Sequence, residues 1–582
     1  MPSFSSVNAV DYALIGLYFV ILIWVGLYSA RKTRGTGDYF KGGGKVPWAL
    51  AGFSNWVSGF SAFMFVAAAG FTYRNGAGAL LVFTSAVWAY LLGYTVFAHR
   101  WRRARLDSPL EFLTRRFSRS TTYFYSFTAI IPQIVGIGQG LYILCIFVAT
   151  ALGFSDQEFS LAGISLTGLE LSILIVGLVM VVYTVVGGLW AAVLSDAVQS
   201  VIILTMTLLI FPISFAYLGE GAGILRGVER LFQEAPEGYL GLTGEVASPL
   251  FIGCYLLNVL LGYNVSWHMV QRYMSVPRER DARKMAMLCA VLSLVGPLLW
   301  ILPVMASRLI FPDIDSLWPA LADPAEASFV SLALLLLPHG MIGFVVSAIM
   351  SATLGQANDA FNWLAATFTR DVYVPLSRRG GRPEPGERRQ LAFARGVMLV
   401  VGVLGIAVAL YIPRFGGAFS FALEYYSLMA AFMMPVALGL VYTRTPWWSG
   451  IASCTAALLV TGGLMGAGIG SDHSMIRNVL SGSLTATVVF FGSAFWYRRS
   501  SRNREAIEEF ARDLRTPVPD EAYQVDAETL RVYRMLAQVC LLLGIVLAAC
   551  MTLPGEAAVA INGVAAALLL TIAAVLFRIS RS

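Results

Sequence analysis

Apolar runs long enough to cross a bilayer recur along almost the whole chain, from Val10 to Phe577. A membrane-spanning helix needs about 20 mostly apolar residues, and runs of that length predict fifteen spans. Only 13% of the 582 residues are charged, whereas soluble domains carry about 25%. Because such a chain cannot build a water-exposed surface, we expect an all-α integral membrane protein.

The predicted spans are separated mainly by short loops of alternating charge. They lie at residues 9–30, 46–73, 77–98, 120–152, 168–187, 190–218, 248–270, 284–311, 339–369, 392–412, 418–442, 447–468, 477–497, 532–552 and 557–578. Five loops are rich in Lys and Arg, at residues 31–45, 100–119, 272–284, 370–395 and 498–534. Loops such as 155–168 and 312–326 contain neither. Since Lys and Arg collect on the cytoplasmic side, we expect a multi-pass plasma-membrane protein with its N-terminus outside and its C-terminus cytoplasmic.

Several other classes of protein are disfavoured. The net charge of +7 follows the alternating loops, which indicates topology rather than a nucleic-acid partner. The six cysteines lie in apolar segments without CxxC spacing, and the four histidines show no metal spacing or catalytic arrangement. We therefore expect no enzyme, no organic cofactor and no metal beyond a coupling cation. The pattern leaves the oligomeric state open.

Two predicted spans carry small and polar residues at membrane depth. Residues 52–61 read GFSNWVSGFS, and residues 262–269 read GYNVSWHM. Where a helix breaks inside a membrane, freed carbonyls can bind cations and freed N–H groups can bind anions. Close helix packing through small residues is the alternative.

The five-span spacing of these segments predicts two inverted repeats, 46–218 and 248–443. Residues 1–45 are then an N-terminal span with an inside loop, and residues 444–582 are additional C-terminal spans. Within the latter, residues 501–514 place Ile507, Phe510, Ala511 and Leu514 on one face. This predicts a cytoplasmic amphipathic helix that lies on lipid headgroups or packs on the bundle.

Four motifs resemble the sodium:solute symporter family, which includes the sodium/proline and sodium/glucose cotransporters. They are Asp38-Tyr39-Phe40 with Pro47-Trp48; Glu111-Phe112-Leu113 with Arg116-Phe117; Tyr183-Thr184 with Gly187-Gly188-Leu189 and Ser195-Asp196-Ala197-Val198-Gln199; and Phe368-Thr369-Arg370-Asp371-Val372-Tyr373. Gly262-Tyr263 with His268 and Arg272 is similar to the sodium/proline branch. The resemblance covers about residues 10–450. It implies a LeuT-like 5+5 inverted repeat with flanking helices, and cation-coupled symport of a small organic solute by alternating access.

The resemblance also implies a sodium site between the first broken helix and a later long helix. Its backbone carbonyls fall at Val57 and Phe60, and its other half falls at Ala352, Gly355 and Gln356. Two family hydroxyls are Gly and Gln here, and glycine supplies no side-chain oxygen for a hard cation.

Carboxyl groups elsewhere in the chain are therefore further candidates for contacting the cation. Asp359 and Glu424 are carboxyls in apolar segments, where ionisable groups are usually functional. Either could couple a proton or complete a modified sodium site, and Asp359 could instead face cytoplasmic water. Asp196 could cap a helix or make a second cation contact.

The predicted solute pocket is aromatic with a few polar points. Phe63 and Met64 stand where the resemblance places the polar pair that holds sugar in the glucose branch, which argues against a hydroxyl-rich sugar. The other candidate residues are Trp56, Gln133, Tyr263, Asn264, Ser266, Trp267, His268 and Tyr425. Such a pocket suits an amino acid or a short carboxylate, although each aromatic could instead face lipid or pack.

Three functions follow from these observations. The first is a sodium-coupled solute symporter, whose partners are the solute and the lipid bilayer. The second is a proton-coupled transporter. The third is a transporter-like membrane sensor that passes its signal to a partner protein.

Overall fold

The computed structural model describes residues 8–30, 46–59, 62–106, 109–155, 157–161, 163–186, 189–338, 340–378, 383, 385–500, 503–518, 527–551 and 556–580. Three of the predicted features fall outside these residues. They are the loop 31–45 with its Asp38-Tyr39-Phe40 motif, Phe60, and the pair Gly187-Gly188.

The described chain is built almost entirely from α-helices. They span Ala9–Ala30, Trp48–Gly59, Ala62–Phe65, Ala67–Asn75, Gly78–Phe83, Ser85–Leu92, Ala98–Arg103, Glu111–Arg116, Arg119–Thr128, Ile130–Ala151, Gly168–Val186, Leu189–Leu218, Ile224–Glu234, Pro249–Val265, Trp267–Ser275, Glu279–Ile310, Ile314–Leu317, Ser328–Leu336, Met341–Thr367, Val374–Ser377, Glu387–Tyr411, Ala418–Val441, Ser449–Gly466, Ser474–Ser493, Arg504–Arg515, Ala527–Cys550 and Glu556–Ile579.

Shorter elements connect or interrupt these helices. Tight 3₁₀ turns lie at Pro324–Ala327, Ile412–Phe415, Ser471–His473 and Ala494–Arg499, and π-helical turns lie at Gly93–Phe97 and Phe368–Tyr373. Strands Glu158–Leu161 and Ile164–Thr167 form an antiparallel hairpin that pairs Glu158 with Thr167 and Leu161 with Ile164.

The helices confirm the predicted membrane class. Within the described residues, eleven helices are long and apolar enough to cross a bilayer, or thirteen if each of two bent pairs counts as one span. Apolar stretches at Ala9–Tyr18 and Gly168–Val182 occupy two more of the predicted spans. The count of fifteen stays a prediction.

Polar contacts define the two ends of the bundle. At the end we call the basic face, Arg103 pairs with Glu279 at 2.9 Å and Arg115 pairs with Asp513 at 2.6 Å. At the other end, the opposite face, Arg74 pairs with Asp323 at 2.5 Å. The helix Glu279–Ile310 runs from one face to the other.

The amphipathic segment forms a helix, Arg504–Arg515, that packs on the basic face. Ile507 and Phe510 are buried, and the Phe510 ring lies 5.7 Å from that of Phe112. Its apolar side therefore contacts the bundle rather than lipid.

Candidate functional site

The first broken helix consists of Trp48–Gly59 and Ala62–Asn75, which meet at an angle of 47°. The Ser58 hydroxyl donates to the Ser54 carbonyl at 2.9 Å within the first half. A Cβ atom at Gly59 would lie 2.5 Å from the Tyr263 hydroxyl. Only glycine therefore lets this end of the half-helix approach Tyr263 so closely.

The second broken helix consists of Pro249–Val265 and Trp267–Ser275, also bent by 47°. Ser266 leaves the helical conformation, with φ −67° and ψ 140°. Trp101 Nε1 donates to the Asn264 carbonyl at 2.8 Å, and the Asn264 amide donates to the carbonyls of Ala89 and Leu260, both at 2.9 Å. These bonds fix the end of the first half-helix just before the break.

Both predicted interruptions are confirmed. The second lies at Ser266, within residues 262–269, and the first lies between Gly59 and Ala62, at the end of residues 52–61. Neither span is a continuous straight helix, so the small and polar residues mark helix breaks as well as close packing.

The two broken helices lie side by side and antiparallel. The Tyr263 hydroxyl donates to the Gly59 carbonyl at 3.2 Å, and the Val46 N–H donates to the Ser275 carbonyl at 3.0 Å. Contacts therefore pair low residue numbers of one helix with high numbers of the other. Inverted repeats would give this arrangement.

A cavity of about 350 Å³ lies where the two breaks meet. Nine predicted site residues line it: Phe63, Met64, Gln133, Tyr263, Ser266, Trp267, His268, Gln356 and Tyr425. Trp56, Val57, Asn264 and Gly355 are not among its lining residues. The chain is helical at Ala352, Asp359 and Asp196, but their side chains are outside the described part.

Sequence reasoning missed several lining residues. The helix Ala418–Val441, which we call the aromatic helix, contributes a stripe at Ala422, Tyr426, Met429, Met433 and Val436. Glu424, between Leu423 and Tyr425, is not among the lining residues. Extending the helical spacing from Tyr425 would have found most of this stripe.

The polar groups of the cavity are uncharged or weakly basic. Beyond the predicted residues, they include Ser58, Ser85, Asn258, Gln271 and Thr353. Among the described lining residues, no side chain is that of Asp, Glu, Lys or Arg. The cavity thus offers amides, hydroxyls and one imidazole within an aromatic and methionine-rich wall.

Carbonyls near the first break already accept hydrogen bonds from side chains. The Gln356 amide donates to the Ser58 carbonyl, next to the Gly59 carbonyl that accepts from Tyr263. Gln356 therefore lies against the backbone oxygens that a cation would use.

The cavity extends toward the basic face and is covered by aromatic rings on the side of the opposite face. Its lining includes Pro109, which precedes Glu111–Arg116 on the basic face. Toward the opposite face it ends at rings that we call the aromatic cluster: Phe63, Phe71, Phe83, Phe251, Tyr255, Trp300 and Phe419. Of these, Phe63, Phe83 and Tyr255 line the cavity itself. The cluster covers the cavity on that side.

Comparisons with known proteins give the same fold and a family. The model of the "Sodium:solute symporter family" matches residues 39–452. The chain is similar to the "Sodium/glucose cotransporter" of Vibrio parahaemolyticus, at 25% identity over 474 residues, covering 77% of this chain and 84% of that protein. It is also similar to "Sodium/glucose cotransporter 2" of Rattus norvegicus, at 25% identity over 438 residues, covering 69% of this chain and 62% of that protein.

A solved structure has the same fold. It shows the substrate-bound outward-open state of a Na⁺-coupled sialic acid symporter, with a TM-score of 0.68 and 19% identity. The match covers 85% of this chain and 98% of that chain. The expected LeuT-like fold is thereby confirmed, while the likeness to the sodium/proline branch stays a prediction.

Proposed function

Because this chain belongs to the sodium:solute symporter family, we propose that it couples sodium entry to the transport of a small, partly apolar organic solute by alternating access. The observation that carries the proposal is the cavity at the junction of two antiparallel broken helices. Freed main-chain groups and a partly apolar pocket then meet at one place, as coupled binding of an ion and a solute requires.

The lining favours an amino acid or a short carboxylate as the solute. The second half of the second broken helix starts at Trp267, which lines the cavity, and a helix N-terminus favours a negative group. Phe63, Met64 and the methionines of the aromatic helix would contact an apolar side chain. A solute with one carboxylate, one small polar group and an apolar part matches this distribution.

For the cation, we propose a site at the carbonyls of Ser58 and Gly59, next to Val57 and Phe60. Gln356 lies at this point and carries both an amide donor and a carbonyl oxygen. When sodium enters, the donor turns away from Ser58 and the side-chain oxygen faces the ion. A neutral amide oxygen would then supply a ligand that Gly355 lacks. Asp359 and Asp196 remain candidates for further cation contacts.

The basic face is proposed to be cytoplasmic, with the N-terminus outside, because Lys and Arg concentrate in the loops of that face. The cavity, which reaches Pro109, would then face the cytoplasm. A membrane-impermeant thiol reagent applied to intact cells should leave a cysteine at exposed Arg504 unlabelled; labelling from outside would reverse the orientation.

Uptake by purified protein in proteoliposomes tests the function. We expect an inward sodium gradient to drive one member of a panel of amino acids, short carboxylates, glucose, myo-inositol and sialic acid. Gln133→Ala should weaken that uptake, whereas Gln157→Ala, at an exposed position, should not. Uptake driven by a proton gradient alone would show that the coupling ion is a proton and not sodium. Transport of the sugars only would overturn the proposed solute class, and uptake driven by neither gradient would favour the sensor.

A further inference from the structure

Glu326 joins the aromatic helix to the first broken helix at the opposite face. It lies in the turn Pro324–Ala327, and 1% of the residue is exposed. Its Oε1 accepts the N–H of Phe419, in the first turn of the aromatic helix, at 2.9 Å. On its other side a Cβ atom at Gly70 would lie 2.9 Å from the Glu326 Cγ. The buried carboxyl is therefore held between two elements that line the cavity.

These contacts lie directly behind the aromatic cluster. Phe71 follows Gly70, and its ring centroid lies 4.6 Å from that of Phe419. Phe251, near the start of the second broken helix, stacks on Phe71 at 6.2 Å. Opening the cavity at this face requires Phe71 and Phe419 to separate, and Glu326 bonds or packs beside both.

We propose that Glu326 is a positioning residue of the transport cycle, which holds the cavity closed at the opposite face and releases it when the carboxyl loses its proton. This proposal rests on the alternating-access transport proposed above. It adds a pH-sensitive contact outside the solute cavity and away from the cation site.

In the described part of the chain, the charged and titratable groups around Glu326 come from three elements. Asp323 directly precedes the turn, Tyr142 faces Glu326 from Ile130–Ala151, and Arg74 faces it from the end of the first broken helix. Arg74 is engaged with Asp323 at 2.5 Å and with Asp315 at 3.5 Å. Its charge is therefore shared with carboxylates nearer the surface.

Burial raises the pKa of Glu326 from 4.5 to about 8, with Asp323 adding to the rise and the N–H groups of Phe419 and Ala418 opposing it. In an open state water would reach the carboxyl, and its pKa would return toward its ordinary value. The closed state thus binds the proton more tightly. The stability that this proton gives the closed state relative to the open state is complete below about pH 4.5 and is lost as the pH rises to about 8.

The test measures opening directly, without transport. Cysteines at Leu250 and Arg414, both exposed on the opposite face, carry nitroxide labels in lipid nanodiscs without sodium or solute. Pulsed electron–electron double resonance then measures the distances between the two labels, which give the closed and open populations. The six native cysteines are buried, and protein without the added pair supplies the background.

In the parent, the open fraction should rise between pH 6 and pH 8. One linked proton can raise the equilibrium constant for opening by a factor of up to about 100 over these two pH units. Glu326→Gln keeps the acceptor oxygen but cannot ionise, so it should stay closed at both pH values. Asp313→Asn, at an exposed carboxyl of the same face that bonds, among the described residues, only within its own turn at Ser316, should keep the parental pH response. A thermal unfolding midpoint near that of the parent shows that Glu326→Gln is folded.

Two results would overturn the proposal: a parent whose distances do not change with pH, or a Glu326→Gln protein with the parental response. Neither depends on which solute is carried. A failed transport assay with an intact pH response would instead count against the proposed solute or ion alone.

Discussion

Replacing Arg116 by Met tests how the aromatic helix is held at the basic face. The guanidinium is fully buried. It donates to the carbonyls of Gly439 at 2.9 Å and Tyr442 at 3.0 Å, and to the Thr445 hydroxyl at 2.5 Å. The two carbonyls lie at the C-terminal end of the helix, where main-chain acceptors have no partner within the helix. Arg116 therefore serves as the cap of Ala418–Val441.

The expected loss follows from the acceptors left without donors. Met keeps a long apolar stem but has no donor, so the carbonyls of Gly439 and Tyr442 lose the Arg116 donor, whereas the Thr445 hydroxyl keeps its hydrogen bond with the Ser449 hydroxyl at 2.9 Å. Each such group costs roughly 1–3 kcal/mol. Removing a buried charge also removes a desolvation penalty, because no carboxylate pairs with Arg116 among the described residues. The free energy of unfolding should fall by about 2–4 kcal/mol.

The buried cysteines provide the assay. A thiol-reactive dye becomes fluorescent as unfolding exposes them, and the unfolding midpoint should fall by about 2–3 °C in Arg116→Met, because the entropy of unfolding grows with chain length. The midpoint of Arg116→Lys should lie between those of the parent and Arg116→Met, since one ammonium cannot reach all three acceptors. Arg119→Met, three residues on at an exposed site, should change the midpoint little. A melting midpoint for Arg116→Met close to that of Arg119→Met would refute the assigned cap.

Two further changes test other contacts. Gln356→Met removes the donor to Ser58 and the proposed oxygen ligand, so the sodium concentration for half-maximal uptake should rise about tenfold, or ~1.4 kcal/mol; an unchanged sodium dependence would exclude Gln356 from the cation site. Asp513→Asn weakens the partly exposed pairs with Arg105 at 3.2 Å and Arg115 at 2.6 Å, so the free energy of unfolding should fall by ~1 kcal/mol or less. A loss well above that in denaturant titration would contradict a solvent-screened contact.

The sequence predicts the helix breaks because Gly, Ser and Asn are rare together in the middle of a span. It predicts the two segments but not the residue at which each helix breaks. The first break follows Gly59, where a close approach to Tyr263 leaves no room for a Cβ atom. That contact joins residues 204 positions apart. A pattern within one segment cannot locate it.

Residue type and depth in the membrane also do not predict which side of a helix faces the cavity. Asn264 lies at the second break, yet its amide donates to Ala89 and Leu260 and it is not among the lining residues of the cavity. Gln271, one turn after Trp267, lines the cavity although no motif singled it out. Only the packing of the neighbouring helices decides which face of a broken helix meets the cavity.

The aromatic helix has a buried ionisable group at each end, and the two ends are held unequally. Glu326 accepts a hydrogen bond at the N-terminus and Arg116 donates hydrogen bonds at the C-terminus, where its positive charge complements the helix dipole. The Arg116 end is fixed by several bonds, and Pro435, about one turn before it, weakens the helix there.

We therefore expect the helix to pivot near Arg116. Its 24 residues span about 36 Å, so a tilt of ~10° would move the N-terminal end by about 6 Å. That displacement breaks the bond to Glu326 while leaving the cap in place. A label pair across the opposite face should lengthen by about that amount on opening, whereas a larger change across the basic face would place the pivot at the other end.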